Sequence, residues 1–322
     1  MNYNVLVTGV GGVVGQGILR NIIGCNYGIR LIGTNTDKVS PGNHLCDHVY
    51  QVPFSFENGY LELMQTICRE EKINLIIPST DYEVYYLATV QDMLPTIAGS
   101  PADTAKIFLD KYRTWREFDK HGIPFAESSL PSAYGGEFSE CIVKPREGRG
   151  SRGINFNPEN PRSFSEDYVV QKLYHGIEIT TGFYVTRDQE LLGHITLERT
   201  LSAGATNSCS VTFDNNDEIE RIIKQMIGAF EIRGACNIQS IVTSDKRIIP
   251  FEINCRISGT NSIRSQFGFT DVKYTLDELL YHKPLVTPQI TKGSAIRILL
   301  DVIYPGIGLD EVNNKQTHHY LS

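Results

Sequence analysis

The chain has 322 residues, enough for about two domains at roughly 150 residues each, and 41% apolar with 21% charged residues supports a large core under a solvated surface. Lys and Arg number 30 against 37 Asp and Glu, a net charge of -7 with no dense basic run, which argues against a nucleic-acid backbone as partner. No apolar stretch approaches the ~18 residues of a membrane helix, so no membrane partner is expected.

The N-terminus, MNYNVLVTGVGGVVG, lacks a basic leader and reads as a strand and turn rather than a signal peptide, which places the protein in the cytoplasm. Seven widely spaced cysteines with no C-x-x-C pair indicate neither a disulfide framework nor a zinc site, consistent with that reducing compartment.

In chain order, NVLVT (4 to 8) reads as a buried strand, followed by a glycine-rich turn (9 to 15) and a helix beginning near Gly15. IRLIGTN (29 to 35) is a second strand. Leu61, Met64, Ile67 and Cys68 recur at helical spacing, then come the strand NLIIP (74 to 78) and another helix through Tyr86 and Leu87. Strand and helix alternate, which predicts a parallel α/β sheet. Near Gly99-Ser100-Pro101 the texture changes to a short helical pair and then to strand-rich sequence: CIVK, DYVVQKL, EITTGFYV and LLGHITL. A helical stripe from Ile219 to Phe230 precedes two more strands, GACNIQSIVT and RIIPFEINC. The second half is therefore α+β with antiparallel pairing.

The turn TGVGGVVG (8 to 15) matches T-G-x-x-G-x-x-G, a pattern similar to extended short-chain dehydrogenases, and Tyr168 and Lys172 supply a Y-x-x-x-K. That pair acts together only on a helix. The segment around it is β-branched and aromatic, which favours a strand that would separate the two by about 13 Å. The NAD-dependent oxidoreductase is therefore the lesser alternative.

The densest constellation is NIQSIVTSDKRIIPFEINCR (237 to 256). If Asp245-Lys246 forms a two-residue hairpin loop, Gln239 lies opposite Glu252 and Asn237 opposite Asn254. Alternation then puts Gln239, Glu252, Asn254 and Arg256 on one face, and turns Ile253 and Cys255 to the core. One carboxylate with two amides suits a hard cation such as Mg2+, and Arg256 beside it suits charge on a transferred phosphoryl group. Lys111, Lys144 and the loop EGRGSRG (147 to 153) are candidate phosphate contacts, with the loop as a flexible lid. Gln171-Lys172-Leu173, followed by Glu178, suits adenine and ribose.

In this order the motifs resemble the ATP-grasp superfamily, specifically the group similar to the carbamoyl-phosphate synthetase large subunit. The resemblance implies a pre-ATP-grasp Rossmann-like domain over 1 to 100, a small lid subdomain over 101 to 175 and a C-terminal catalytic subdomain over 176 to 322. It implies ATP contacts from Lys111, Lys144, Gly148, Arg149, Gly150, Ser151, Gly153, Gln171, Lys172, Leu173 and Glu178. Gln239, Glu252 and Asn254 then hold Mg2+, with Mn2+ as a substitute, and Arg256, Lys144 and Arg199 serve the reaction. Where many relatives have Q-E in the adenine hinge, this chain has Gln171-Lys172, which leaves adenine to the backbone. The implied activity is ligation of a small carboxylic acid to an amine through an acyl phosphate, or an acyl-phosphate synthase that stops at the first step. The carboxylic acid would sit near Asp81, Glu83 and Arg256, and a homodimer is compatible with this group.

Overall fold

The computed structural model describes residues 3–148, 152–202 and 204–322. Arg149, Gly150 and Ser151, three of the expected phosphate-loop residues, lie outside the described residues.

The first hundred residues build the expected parallel sheet. Its strands are β1 (Asn4–Val7), β2 (Arg30–Asn35), β3 (His48–Gln51), β4 (Leu75–Ile77) and β5 (Thr96–Ile97), in the order β3-β2-β1-β4-β5. The intervening helices are α1 (Val13–Gly24), α2 (Tyr60–Glu70) and α3 (Asp81–Ala88). Strand alternation decides which layer each side chain joins. Val5, Val7, Leu75 and Ile77 pack with Ile18, Leu19 and Ile22 of α1, whereas Leu6 and Ile76 pack with Met64 and Ile67 of α2. Helix α1 begins two residues earlier than the sequence reading, at Val13 with Gly12 as its N-cap. Gly15 is required by close packing, since a Cβ there would lie 2.5 Å from the Gly9 carbonyl oxygen.

Helices α4 (Ala102–Leu109) and α5 (Lys111–Lys120) follow, separated by Asp110, whose carboxylate accepts from the backbone N–H groups of Tyr112 and Arg113 and so caps α5. A four-stranded antiparallel sheet is built from β6 (Ser128–Ser129), β7 (Cys141–Pro145), β8 (Asn155–Phe156) and β9 (Tyr168–Lys172), in the order β6-β9-β7-β8.

The larger antiparallel sheet comprises β10 (Ile177–Val185), β11 (Leu191–Ser202), β12 (Ala205–Thr212), β13 (Gly234–Val242), β14 (Ile248–Asn254) and β15 (Ser294–Ile296), in the order β14-β13-β10-β11-β12-β15. One face packs on α4, α5 and α6 (Asn216–Ala229), through Phe108, Phe118, Ile222, Phe183 and Ile238. The other meets α1 and α8 (Asp271–Leu279) through Tyr184, Leu197, Phe269 and Leu276. Helix α1 thus joins the parallel sheet to the large one. A short helix α7 (Asn261–Arg264) follows β14, and β16 (Val302–Ile303) pairs with β17 (Tyr320–Leu321) near the C-terminus.

The β13–β14 hairpin differs from expectation in a way that leaves the expected pairs intact. Thr243 and Arg247 close a loop of three residues rather than two, with Lys246 at φ +63°. Ser240 pairs with Pro250, yet Gln239 pairs with Glu252, so β14 carries one extra residue, Phe251, as a bulge. The longer loop shifts the register by one and the bulge shifts it back. Pro250, which has no N–H to donate, sits beside that bulge.

Candidate active site

A cavity of about 800 Å³ opens where the three main sheets meet. Asn237, Gln239, Phe251, Glu252, Asn254 and Arg256 reach it from the β13–β14 hairpin. Lys144 reaches it from β7 and Lys111 from the first position of α5, while Gly12, Val13 and Asp81 line it from the N-terminal domain.

The polar groups on the hairpin form one connected chain. The Gln239 Nε2 donates to Asn254 Oδ1 at 3.3 Å, and Asn254 Nδ2 donates to Glu252 Oε1 at 3.2 Å and to Asp81 Oδ2 at 3.3 Å. Arg256 pairs with Asp81 at 2.8 Å. Arg199 donates to Glu178 Oε1 at 2.6 Å and to Gln239 Oε1 at 2.5 Å, so Glu178 and Gln239 are tied together through one guanidinium.

Two ammonium groups face this chain from within the fold, Lys111 being 6% exposed and Lys144 5%. Lys111 Nζ lies 3.8 Å from Glu252 Oε2, and its backbone N–H donates to the Arg146 carbonyl, the link that binds α5 to the end of β7. The ion pair of Arg146 with Asp110, at 2.5 Å, secures the same junction. Lys144 Nζ donates to the Phe251 carbonyl oxygen at 3.4 Å and lies 5.1 Å from the centre of the Phe251 ring, with no carboxylate ion-pair partner among the described residues. Burial, reinforced by the nearby Lys111 charge, brings Lys144 down to a pKa of about 7. Burial alone would raise Glu252, but the Lys111 and Lys144 ammonium groups outweigh it and hold that carboxyl below its usual range. Asp81 goes the other way, raised by burial against the pull of Arg256.

Sequence comparison assigns both halves of the chain. Residues 7–97 match the PylC-like N-terminal domain, and residues 108–260 match the ATP-grasp domain. Residues 108–260 are an ATP-grasp domain. No curated protein matches the sequence. Among solved structures, the N5-carboxyaminoimidazole synthetase of Staphylococcus aureus complexed with ADP superposes with a TM-score of 0.75 at 12% identity, over 93% of this chain and 83% of that one. The carboxyaminoimidazole ribonucleotide synthase of Aspergillus clavatus complexed with ATP gives 0.72 at 17%, over 89% and 78%. The biotin carboxylase domain of the Hydrogenobacter thermophilus 2-oxoglutarate carboxylase, with MgADP and bicarbonate, gives 0.69 at 14%, over 88% and 71%. At these identities the likeness is one of fold.

The ATP-grasp cavity gathers Lys111, Lys144, Gly148, Gln171, Lys172, Leu173, Glu178, Arg199, Gln239, Glu252, Asn254 and Arg256 along its walls. Gly153 is not among the lining residues; it adopts φ +69° and packs against Pro145. Glu83 is also set apart. Its carboxylate accepts from Thr8 Oγ1 and Thr80 Oγ1 inside the N-terminal domain, where it completes a capping box on α3.

The hinge needs a further correction. The Lys172 N–H donates to the Glu127 carbonyl at 2.8 Å and the Leu173 N–H to the Glu140 carbonyl at 3.0 Å, so neither backbone donor is open to a base. The Gln171 side chain turns inward to Ser128 Oγ, and Lys172 pairs with Glu127 at 2.6 Å. Tyr168 and Lys172 lie on strand β9, which removes the helical proton relay that the dehydrogenase alternative requires.

The donor set fits a hard cation. Among the described residues, no group of three His, Cys, Asp or Glu side chains could hold a metal, so a cation here relies on Glu252 with the amide oxygens of Asn254 and Gln239. Glu252 is kept ionised, and each amide oxygen has a second lone pair beyond the bond it already accepts. Phe251 and Arg297 also line the cavity and were not singled out in the sequence. Phe251 enters through the bulge, which has no local sequence signal beyond Pro250. Arg297 lies in AIRIL, an alternating run whose strand character is visible but whose destination is not.

Proposed function

We propose that the protein is an ATP-dependent ligase that joins a small carboxylic acid to an amine. A carboxylate oxygen of the acid attacks the γ-phosphorus of ATP and ADP leaves. The amine nitrogen then attacks the acyl carbon, phosphate departs, and the amine loses a proton to leave an amide. The observation that carries this reading is the placement of Lys111, Lys144, Glu252, Asn254, Gln239 and Arg256 around one cavity in an ATP-grasp fold.

Lys111 and Lys144 neutralise the nucleotide phosphates from rigid elements, and Gly148 begins the loop that covers them. Glu252, Asn254 and Gln239 would hold Mg2+, or Mn2+ in its place, and a cation there would supply charge neutralisation for the transferring phosphate. Glu178 takes the ribose hydroxyls through the carboxylate oxygen not engaged by Arg199. Base recognition falls to the apolar walls, such as Ile142 and Ile241, and to carbonyl oxygens of the hinge. Arg256 stabilises the acyl phosphate, and Arg199 orders Glu178 and Gln239 rather than meeting the anion alone. In this reading 101 to 175 supplies the lid over the catalytic unit 176 to 322, behind a substrate-binding unit 1 to 100. We place the reaction in the cytoplasm, where the seven free cysteines stay reduced.

The test is ADP release from MgATP across panels of carboxylic acids and amines. A ligase requires both partners. ADP released with the acid alone selects the acyl-phosphate synthase, and release with neither overturns both readings.

A further inference from the structure

Arg297 differs from Arg199 and Arg256, two other arginines that line the cavity, by what it lacks. Arg256 has Asp81 and Arg199 has Glu178, but Arg297 has no carboxylate partner among the described residues. Its guanidinium is nevertheless held in place. Nε donates to the Thr206 carbonyl at 3.0 Å and one terminal nitrogen, Nη2, to the Gly259 carbonyl at 2.9 Å. Its own backbone N–H donates to the Asn207 carbonyl at 2.8 Å, extending the β12–β15 pairing by one residue. The residue lies beyond the matched ATP-grasp segment, delivered to the cavity by the edge strand of the large sheet.

The surroundings of Arg297 are also positive. Gly259, whose carbonyl it binds, lies against the start of α1, since a Cβ there would sit 4.0 Å from Val13 Cγ1. Helix α1 has Gly12 as its N-cap, no side-chain cap and no acidic residue in its first turn, while Gly12, Val13 and Val14 line the same cavity. Arg20 on α1 adds a second charge that works against that of Arg297. A partly buried, preoriented guanidinium with no counter-ion is costly unless an anion joins it. A fork held by two carbonyls still presents Nη1 to such an anion.

We propose that Arg297 is a specificity-determining residue that binds an oxyanion of the acid or amine substrate, a carboxylate or a phosphate, beside the first turn of α1. The inference rests on the ligase reading for the identity of that ligand as a substrate, and on the geometry alone for its charge. The substrate class is accordingly an acid or amine that brings an anionic group of its own to Arg297: an amino acid with a carboxylate to spare, or a phosphorylated amine or acid.

The experiment is direct binding to the full chain, without turnover, by titration calorimetry in the presence of MgADP. The probes are the proteinogenic L-amino acids, each against its carboxamide, and phosphorylated sugar amines and sugar acids, each against its dephosphorylated form. The expected result is at least one anionic probe bound tenfold or more tighter than its neutral analogue by the wild type. In Arg297→Gln that ratio falls to within twofold of unity while MgADP affinity stays within twofold. Arg297→Lys, which keeps the charge and loses the fork, falls between. Preference for carboxylate or for phosphate names the source. For a probe that also supports turnover, KM rises tenfold or more in Arg297→Gln with kcat within threefold.

Equal binding of every anionic probe and its neutral analogue by the wild type overturns the proposal, as does an undiminished preference in Arg297→Gln. The wild-type comparison needs no variant to fold. If no probe pair releases ADP but the anion preference stands, the ligase reading fails and the anion site survives.

Discussion

The β13–β14 hairpin and strand β9 line the same cavity with different parts of the chain. On the hairpin, alternation and one bulge aim the side chains of Gln239, Phe251, Glu252 and Asn254 inward, and hydrogen bonds among three of them fix their positions. On β9 the side chains are spent on the fold: Gln171 on Ser128 and Lys172 on Glu127. Function that uses side chains leaves a pattern of residue types. Function that uses backbone leaves almost none.

The strongest way to break this contrast is to substitute the hairpin. Glu252→Gln removes the carboxylate of the proposed cation site, and ADP release should fall by about 10³-fold, the scale of losing a preorganised electrostatic group. The melting temperature should also fall, because Lys111 loses the carboxylate it pairs with even though the amide can still accept from Asn254. Full activity in this variant would remove the metal assignment.

Lys144→Met comes next. Loss of the buried ammonium should weaken ATP binding by about 10- to 100-fold, the cost of removing a charged hydrogen-bond partner. The free protein should behave oppositely. With a native pKa of about 7 against an ordinary value of 10.5, Lys144 binds fewer protons folded than unfolded between those pH values. Stability of the ligand-free wild type therefore rises with pH across that window, and the rise should shrink in Lys144→Met when melting is followed from pH 7 to 10. Nucleotide phosphates should recharge the amine, so ATP binding near pH 8 should take up close to one proton in the wild type and fewer in the variant. Calorimetry in buffers of different ionisation enthalpy measures that number.

Substituting β9 sharpens the contrast from the other side. Gln171→Ala should cost about 1 kcal/mol of stability by leaving Ser128 short of a partner, while changing the Kd for ATP less than threefold. Lys172→Ala loses a partly exposed ion pair worth about 0 to 1 kcal/mol and should be nearly silent in binding. A large loss of ATP affinity in either would show that β9 recognises the base through side chains. The smallest expected effect is at the hairpin loop, where Lys246→Gly relieves a positive φ and should stabilise by about 0.5 kcal/mol in chemical denaturation.

The parallel sheet was legible because buried strands and amphipathic helices alternate with different periods, as Val5 to Val7 and Leu61 to Cys68 show. The polar face of the hairpin was legible because residues two apart on a strand share a side. Its loop was not. The turn could close with two or three residues, and only the unmarked bulge at Phe251 restores the pairing of Gln239 with Glu252. Strands of two to four residues, β3, β5, β6 and β8, are too short to show a period. The pairing of Lys172 with Glu127 joins residues 45 apart in sequence and that of Arg199 with Glu178 residues 21 apart, and such partners emerge only when the sheets form. Arg297 was invisible for the same reason: its strand was readable, but the sheet order that brings it to α1 was not.

The most direct test of the central claim is titration of ATP into the wild type and into Glu252→Gln, each with and without Mg2+. The cavity described here predicts binding that Mg2+ strengthens at least tenfold in the wild type and leaves nearly unchanged in the variant. ATP binding that ignores both Mg2+ and the substitution, or no ATP binding at all by the folded wild type, would contradict it.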